Sequence, residues 1–175
     1  MHNAFIDNQR TKRHIQIAQL VGGLLLLLAS GHVRYYIGSI PHTMQTQAIL
    51  CLALCYPRKI ALLTVLLYTI TATIAPTALS MSSGLFGASA GYFIGFLCAV
   101  NLLTQKTGRT TDIWVSILWA QLIIWACGML YLSGFVGLER AFWTGVYPFV
   151  ITDSLKSLSA VFLLRRFQIE LQHKQ

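Results

Sequence analysis

Pro148-Phe149-Val150-Ile151-Thr152-Asp153-Ser154-Leu155-Lys156-Ser157-Leu158 is an apolar stretch broken by two opposite charges. It lies in the last long apolar segment of the chain, about residues 142–164, which Arg165 and Arg166 close. Asp153 and Lys156 are three residues apart, so on a helix they share one face. At ~1.5 Å per residue, Lys156 sits roughly 13 Å from that basic edge. This is near the midplane of a ~30 Å hydrocarbon core. An ionised side chain at such depth costs roughly 2.5–3.5 kcal/mol. A helix that carries two of them must turn them to an interior. Either the pair neutralises itself and fastens the helix to its neighbours, or it forms a polar ligand site inside a membrane protein.

The composition supports the membrane setting. Of 175 residues, 55% are hydrophobic and only 10% charged, with a mean hydropathy of +0.63. A soluble domain carries ~25% charged residues. The expected class is therefore an all-α integral membrane protein with one membrane domain. The formal net charge of +8 would suit nucleic acid, but the positions of the charges point elsewhere. Cys51, Cys55, Cys98 and Cys127 all fall in apolar runs without metal-ligand spacing, and read as small buried hydrophobes.

Outward from the opening stretch, the chain divides into a basic cytoplasmic N-terminus (1–14), a membrane domain (15–167) and a polar cytoplasmic tail (168–175). Ile15 to Ser30 has the look of a secretory signal, but further apolar segments come at once. It reads as an uncleaved first helix, extended to Gly38. Ile40 to Gln47 is a polar break led by Pro41. Ala48–Tyr56, Ile60–Ala75, Gly91–Leu103 and Ile113–Leu132 give four more helices, and the opening stretch gives the sixth. With the N-terminus inside, Arg10, Lys12, Arg13, Arg58, Lys59, Lys106, Arg109, Arg165, Arg166 and Lys174 fall on the cytoplasmic side. Only Arg34 and Arg140 fall outside, with Lys156 within the membrane. That asymmetry predicts six transmembrane helices, N-in and C-in, and a multi-pass protein of the cell membrane. It explains the basic balance without nucleic acid; the lipid bilayer is the partner.

Two of the segments are short, and short helices beside polar loops mark binding sites in membrane proteins. The loops 40–47 and 76–89 both fall outside in this topology and would enclose an outward-facing cavity. Pro148 and Thr152 suggest a helix starting near Asp153, with Thr152 or Asp153 as its cap. Gln45 has the amide of a ligand donor and acceptor, while His42 and His32 read as interfacial with no chemistry assigned. Gly87-Ala88-Ser89-Ala90-Gly91 matches G-x-S-x-G, but its setting is a loop entering a membrane helix, not a strand-turn-helix elbow. Gly87, Gly91 and Gly95 recur every fourth residue, a small-residue face for close helix packing. No P-loop occurs, so any ATPase must be a separate subunit.

Several of these stretches together resemble a known family. Ile40-Pro41-His42-Thr43-Met44-Gln45-Thr46, Pro57-Arg58-Lys59 with the run to Tyr68, Gly87 to Phe96, and Asp153-Ser154-Leu155-Lys156 look like the BioY family, the biotin-specific S components of energy-coupling-factor (ECF) transporters. The resemblance spans about residues 15–167. It implies an S-component-like fold that binds biotin from outside and performs no chemistry, so not an enzyme and with no cofactor. It also implies a transmembrane coupling protein and two ATP-binding subunits as partners. By the same resemblance Asp153 and Lys156 are ligand-binding, with Gln45 and Tyr92 near the site. A carboxylate suits ureido N–H donors, and an ammonium suits a carbonyl or carboxylate. Tyr68, Tyr92 and Phe149 are the candidate walls for the flat bicycle. The chain departs from the family in loop 76–89, which should cover the ligand.

The competing readings are uptake of a related small vitamin, a structural or assembly subunit whose Asp153–Lys156 pair only fixes helix packing, and an intramembrane enzyme. The last has only Ser89 with Asp153, and the expected helices hold no histidine to act as base apart from the interfacial His32 near the end of the first.

Overall fold

The leucine-rich run after Ile15 carries no proline, and helix α1 (His2–His32) passes through it without a break. It stops at His32, short of the expected Gly38. The residues just beyond explain the early stop. Arg34-Tyr35-Tyr36-Ile37 and Ile40-Pro41-His42-Thr43 are rich in aromatic and β-branched residues, which favour extended backbone. They form antiparallel strands β1 (Arg34–Ile37) and β2 (Ile40–Thr43), with Arg34 opposite Thr43 and Ile37 opposite Ile40. The all-helical expectation is therefore modified by one hairpin. Pro41 is accommodated because each strand of a two-stranded ribbon has an unpaired edge.

The computed structural model describes residues 2–37, 40–75, 84–104 and 110–172. After the hairpin come α2 (Gln45–Cys55), α3 (Arg58–Ile74), a short 3-10 turn (Gly84–Phe86), α4 (Ala90–Leu103), α5 (Thr110–Val136), α6 (Leu138–Gly145) and α7 (Tyr147–Gln172). Pro57 precedes α3 with φ −57° and cannot continue α2, so it separates the two helices. The hydroxyls of Thr64, Thr69, Thr71 and Thr73 return 2.7–2.8 Å bonds to carbonyls four residues back. In an apolar setting this satisfies each hydroxyl without a neighbour's help. Most of loop 76–89, residues 76–83, lies outside the described residues.

The last apolar segment is two helices. Gly137, at φ +82°, allows the chain to turn out of α5. The amphipathic α6 comes next, and Val146 breaks it from α7. Pro148 sits in the first turn of α7, where its missing N–H costs nothing. Hence α7 starts at Tyr147, and Asp153 lies well inside it. The expected cap at Thr152 or Asp153 is overturned.

The core is built by Leu27, Ile49, Leu50, Val65, Tyr68, Phe93, Val100, Ile124 and Ala160, drawn from α1, α2, α3, α4, α5 and α7. The outer flanks are apolar too: Leu25, Leu118, Leu155 and Phe162 are each about 60% exposed (61%, 58%, 64% and 64%). Gln9–His32 and Ile113–Val136 are long and apolar enough to cross a membrane, whereas Gln45–Cys55 and Ala90–Leu103 are shorter. The expected burial of the cysteines fails for two of them, since Cys55 and Cys98 are exposed on helix flanks.

Candidate functional site

Helix α7 turns one flank outward and one inward. Ile151, Leu155 and Leu158 are exposed, while Thr152, Asp153, Lys156 and Ser157 are buried. The three-residue spacing brings Lys156 Nζ to 2.8 Å from Asp153 Oδ1. The same ammonium donates to the Thr43 carbonyl of β2 at 2.8 Å. Asp153 Oδ2 accepts from Gln121 Nε2 at 2.8 Å and from Trp125 Nε1 at 3.2 Å. Both donors stand on α5, one turn apart. A buried ion pair repays its desolvation only when further hydrogen bonds satisfy its atoms, and these three partners supply them.

From Thr43 the polar network continues. Thr43 Oγ1 donates to Gln45 Oε1 at 2.8 Å, and Gln45 Nε2 donates to the Tyr68 hydroxyl. Lys156, Thr43, Gln45 and Tyr68 thus link α7, the hairpin, α2 and α3. An aromatic wall closes the other side. Phe149 lies 4.6 Å from the His42 ring and 6.3 Å from the Tyr92 ring, centroid to centroid. Tyr92 donates to the Gly145 carbonyl at 2.6 Å. Its ring crosses Gly128, where a Cβ would stand 2.3 Å from the ring edge. Only a glycine leaves room for this ring.

His42 is fully buried, not interfacial as expected. Its Nδ1 is 3.3 Å from Thr152 Oγ1, so the hairpin is tied to α7 at a second point beside the Lys156 bond. The imidazole and the Phe149 ring fill the space between β2 and the first turns of α7.

Of the six residues singled out from the sequence, Asp153, Lys156, Gln45 and Tyr68 are joined through Thr43, while Tyr92 and Phe149 form a second group that reaches the hairpin through the neighbouring His42. Sequence reasoning missed Thr43, His42, Gln121 and Trp125. Gln121 and Trp125 did leave a signal, being an amide and an indole four residues apart on one face of an apolar helix. Between α2 and α7 a cleft of about 460 Å³ is lined by Met44, Gln47, Ile151, Thr152, Leu155, Lys156 and Ser159. Of the six residues only Lys156 lines it. Its volume falls in the ~300–1,000 Å³ range of small-molecule sites. Gln47 Nε2 donates to Ser159 Oγ across it at 2.8 Å. Chemically the region offers a carboxylate, an ammonium, three amides and flat apolar rings. This is a binding inventory for a small polar molecule.

Comparison with known proteins identifies the family and the fold. The model of the BioY family matches residues 6–173. A probable biotin transporter BioY of Pyrococcus horikoshii is 30% identical over 136 residues, 75% of this chain and 83% of that protein. Another, of Rickettsia prowazekii, is 24% identical over 165 residues, 89% of this chain and 85% of that protein. A crystal structure of the S-component for biotin from an ECF-type ABC transporter superposes with a TM-score of 0.74 at 19% identity, covering 92% of this chain and 93% of that one. That likeness establishes the fold. With nearly the whole chain matched, the protein belongs to the BioY family.

Proposed function

We propose that this membrane protein binds biotin and takes it up across the cell membrane as the substrate-specific S component of an ECF-type transporter. Asp153 and Lys156 are the polar anchors of the ligand. Gln45 lies beside them, and Tyr68, Tyr92 and Phe149 wall the apolar bicycle. The observation that carries this reading is the buried Asp153–Lys156 pair, at 2.8 Å, bonded to a hairpin carbonyl and bordered by a cleft. Two charged groups set among aromatic rings and open space match a ligand with ureido and carboxylate ends. Six helices cross the membrane in this reading, α1 to α5 and α7, with both termini in the cytoplasm. Transport energy comes from a transmembrane coupling protein and two ATP-binding subunits, since the chain carries no phosphate-binding loop.

Equilibrium binding of labelled biotin to the detergent-solubilised protein tests this. The parent should bind, close vitamin analogues should compete weakly, and Asp153→Ala should lose most binding while still inserting. An Asp153→Ala variant that binds like the parent refutes the site.

One observation favours a structural role for the pair: it is hydrogen-bonded to Thr43, Gln121 and Trp125 with no ligand needed. Under that reading, replacing both members by leucine raises stability and leaves biotin binding intact.

A further inference from the structure

Helix α6 has eight residues, about 12 Å at ~1.5 Å each, so it does not cross a bilayer. Its neighbours fix where it lies. In α7, Lys156 stands nine residues after Tyr147 and nine before Arg165. Tyr147 to Arg165 therefore covers about 27 Å, close to the ~30 Å of a hydrocarbon core. With Arg165 at one edge of that core, Tyr147 is at the other. The long apolar run of α5 ends at Val136, and α6 fills the short path from there to Tyr147. It is thus held at the level where lipid meets water.

Its side chains divide to match. Around the helix Leu138, Ala141, Phe142 and Gly145 share one half, and Glu139, Arg140, Trp143 and Thr144 share the other. Ala141 and Gly145 are buried against the protein. The Tyr92 hydroxyl holds the Gly145 carbonyl, and a Cβ on Gly145 would stand 2.7 Å from that hydroxyl and 2.9 Å from Leu132 Cδ2. The helix is therefore pressed tightly onto α4 and α5. Leu138 and Phe142, on the same apolar half, remain 61% and 43% exposed. The core does not use them. Phe135 and Val136 before α6, and Tyr147, Val150 and Ile151 after it, are exposed as well. Trp143 lies 4.9 Å from Tyr147, ring centroid to centroid, and Trp and Tyr are the residues that collect at membrane interfaces.

We propose that α6 is an interfacial anchor that lies along the outer leaflet of a zwitterionic lipid surface. Leu138 and Phe142 enter the upper acyl chains, where they continue the lipid-facing flanks of α5 and α7. Glu139 and Arg140 stand among the headgroups, and Trp143 and Tyr147 mark the boundary. The adjacent acid and base cancel, so the contact is apolar in origin and does not depend on anionic lipid. The anchor fixes the height of α7, and with it the depth of Asp153 six residues beyond Tyr147. From the topology proposed above it takes only the side of the membrane.

Spin labels read this out on the full chain, with the four native cysteines replaced by alanine and the protein reconstituted in phosphatidylcholine bilayers. Nitroxides at Leu138→Cys and Phe142→Cys should collide with oxygen in preference to a water-soluble nickel chelate and report depths of ~5–10 Å below the headgroups. Those at Glu139→Cys and Arg140→Cys should favour the chelate. Adding anionic phosphatidylglycerol should leave all four depths unchanged. If the labelled cysteines disturb folding, Trp143 is left as the one indole by Trp114→Phe, Trp119→Phe and Trp125→Phe, and lipids brominated high on the acyl chain should quench it more than lipids brominated near the chain end.

Free access of the chelate to positions 138 and 142 overturns the proposal, for then this face is in water. Exclusion of both reagents there also overturns it, because a protein partner or a second copy then covers the face. Stronger quenching of Trp143 by the deep bromines has the same force. Glu139→Cys that reacts with an impermeant maleimide only in permeabilised cells overturns the topology and the outer side, while the measured depths still decide the anchor.

Discussion

Asp153 is held by three donors and neutralises an ammonium that is 5% exposed. Its removal therefore leaves Lys156 as a buried charge with its counterion gone. Asp153→Ala should lower stability by about 3–5 kcal/mol, and Asp153→Leu with Lys156→Leu should regain most of that loss, because an apolar pair of similar volume carries no desolvation cost. Thermal unfolding of the three proteins in one detergent measures this; a double variant no more stable than Asp153→Ala would contradict it. The two charges of the site were legible because ionised groups are rare in apolar segments. Gln121 and Trp125 were not, since neutral polar and aromatic side chains are ordinary in such helices and only their approach to Asp153 gives them meaning. His42 looks interfacial in the sequence because it stands in a polar break between apolar runs. Its burial depends on the pairing of β1 with β2, and that pairing carries the ring under Phe149 and Thr152.

Helices α4 and α5 approach more closely than ordinary side chains allow. A Cβ on Gly91 would stand 2.3 Å from the Cys127 carbonyl oxygen, and one on Gly95 would stand 2.8 Å from the Ile124 Cα. Both obstacles are backbone, which cannot swing aside. Gly91→Ala should cost about 1–3 kcal/mol, as overpacking does elsewhere. Because α5 carries both Gln121 and Trp125, the same change should also weaken biotin binding. Gly134, on the same helix α5, has nothing within 4 Å of the added atom. Gly134→Ala should instead raise stability by ~0.5–1 kcal/mol, through the backbone entropy that glycine loses in a helix. Melting temperatures of the two variants should move in opposite directions. The every-fourth-residue glycines exposed this packing to sequence reasoning, as periodicity does for helices in general. Helix ends were harder. Where α1 stops is decided by the β-forming residues 34–37, and where α7 starts is decided by Val146 and Pro148; both are local signals outweighed, in a hydropathy reading, by the apolar run around them.

At the scale of the whole molecule, the number of helices that cross the bilayer turns on α2. It has 11 residues, so at ~1.5 Å each it covers only about 16 Å. Alone it cannot span a ~30 Å core. Strand β2 adds four residues, and at ~3.3 Å each these bring strand and helix to about 30 Å end to end. The hairpin would then sit at membrane depth, which is tolerated where backbone is buried in protein or lines a cavity. The fully buried His42 and the Lys156 bond to the Thr43 carbonyl meet that condition. If α2 and α3 instead dipped in and returned, Arg58 and Lys59, at the turn between them, would leave the cytoplasmic side for membrane depth, open to the outside, and weaken the charge asymmetry. Arg58 Nε and Nη2 hold Asn101 Oδ1 at 2.9 and 2.6 Å, so the start of α3 and the end of α4 share one side. Single cysteines, in a background with the four native ones replaced by alanine, decide the matter. The exposed Phe86 and Glu139, as Phe86→Cys and Glu139→Cys, should react with an impermeant maleimide on intact cells. Lys59→Cys should react only after permeabilisation. Labelling of Lys59→Cys on intact cells would leave four crossings and return the hairpin, with the carbonyl that Lys156 grips, to a different relation with the bilayer.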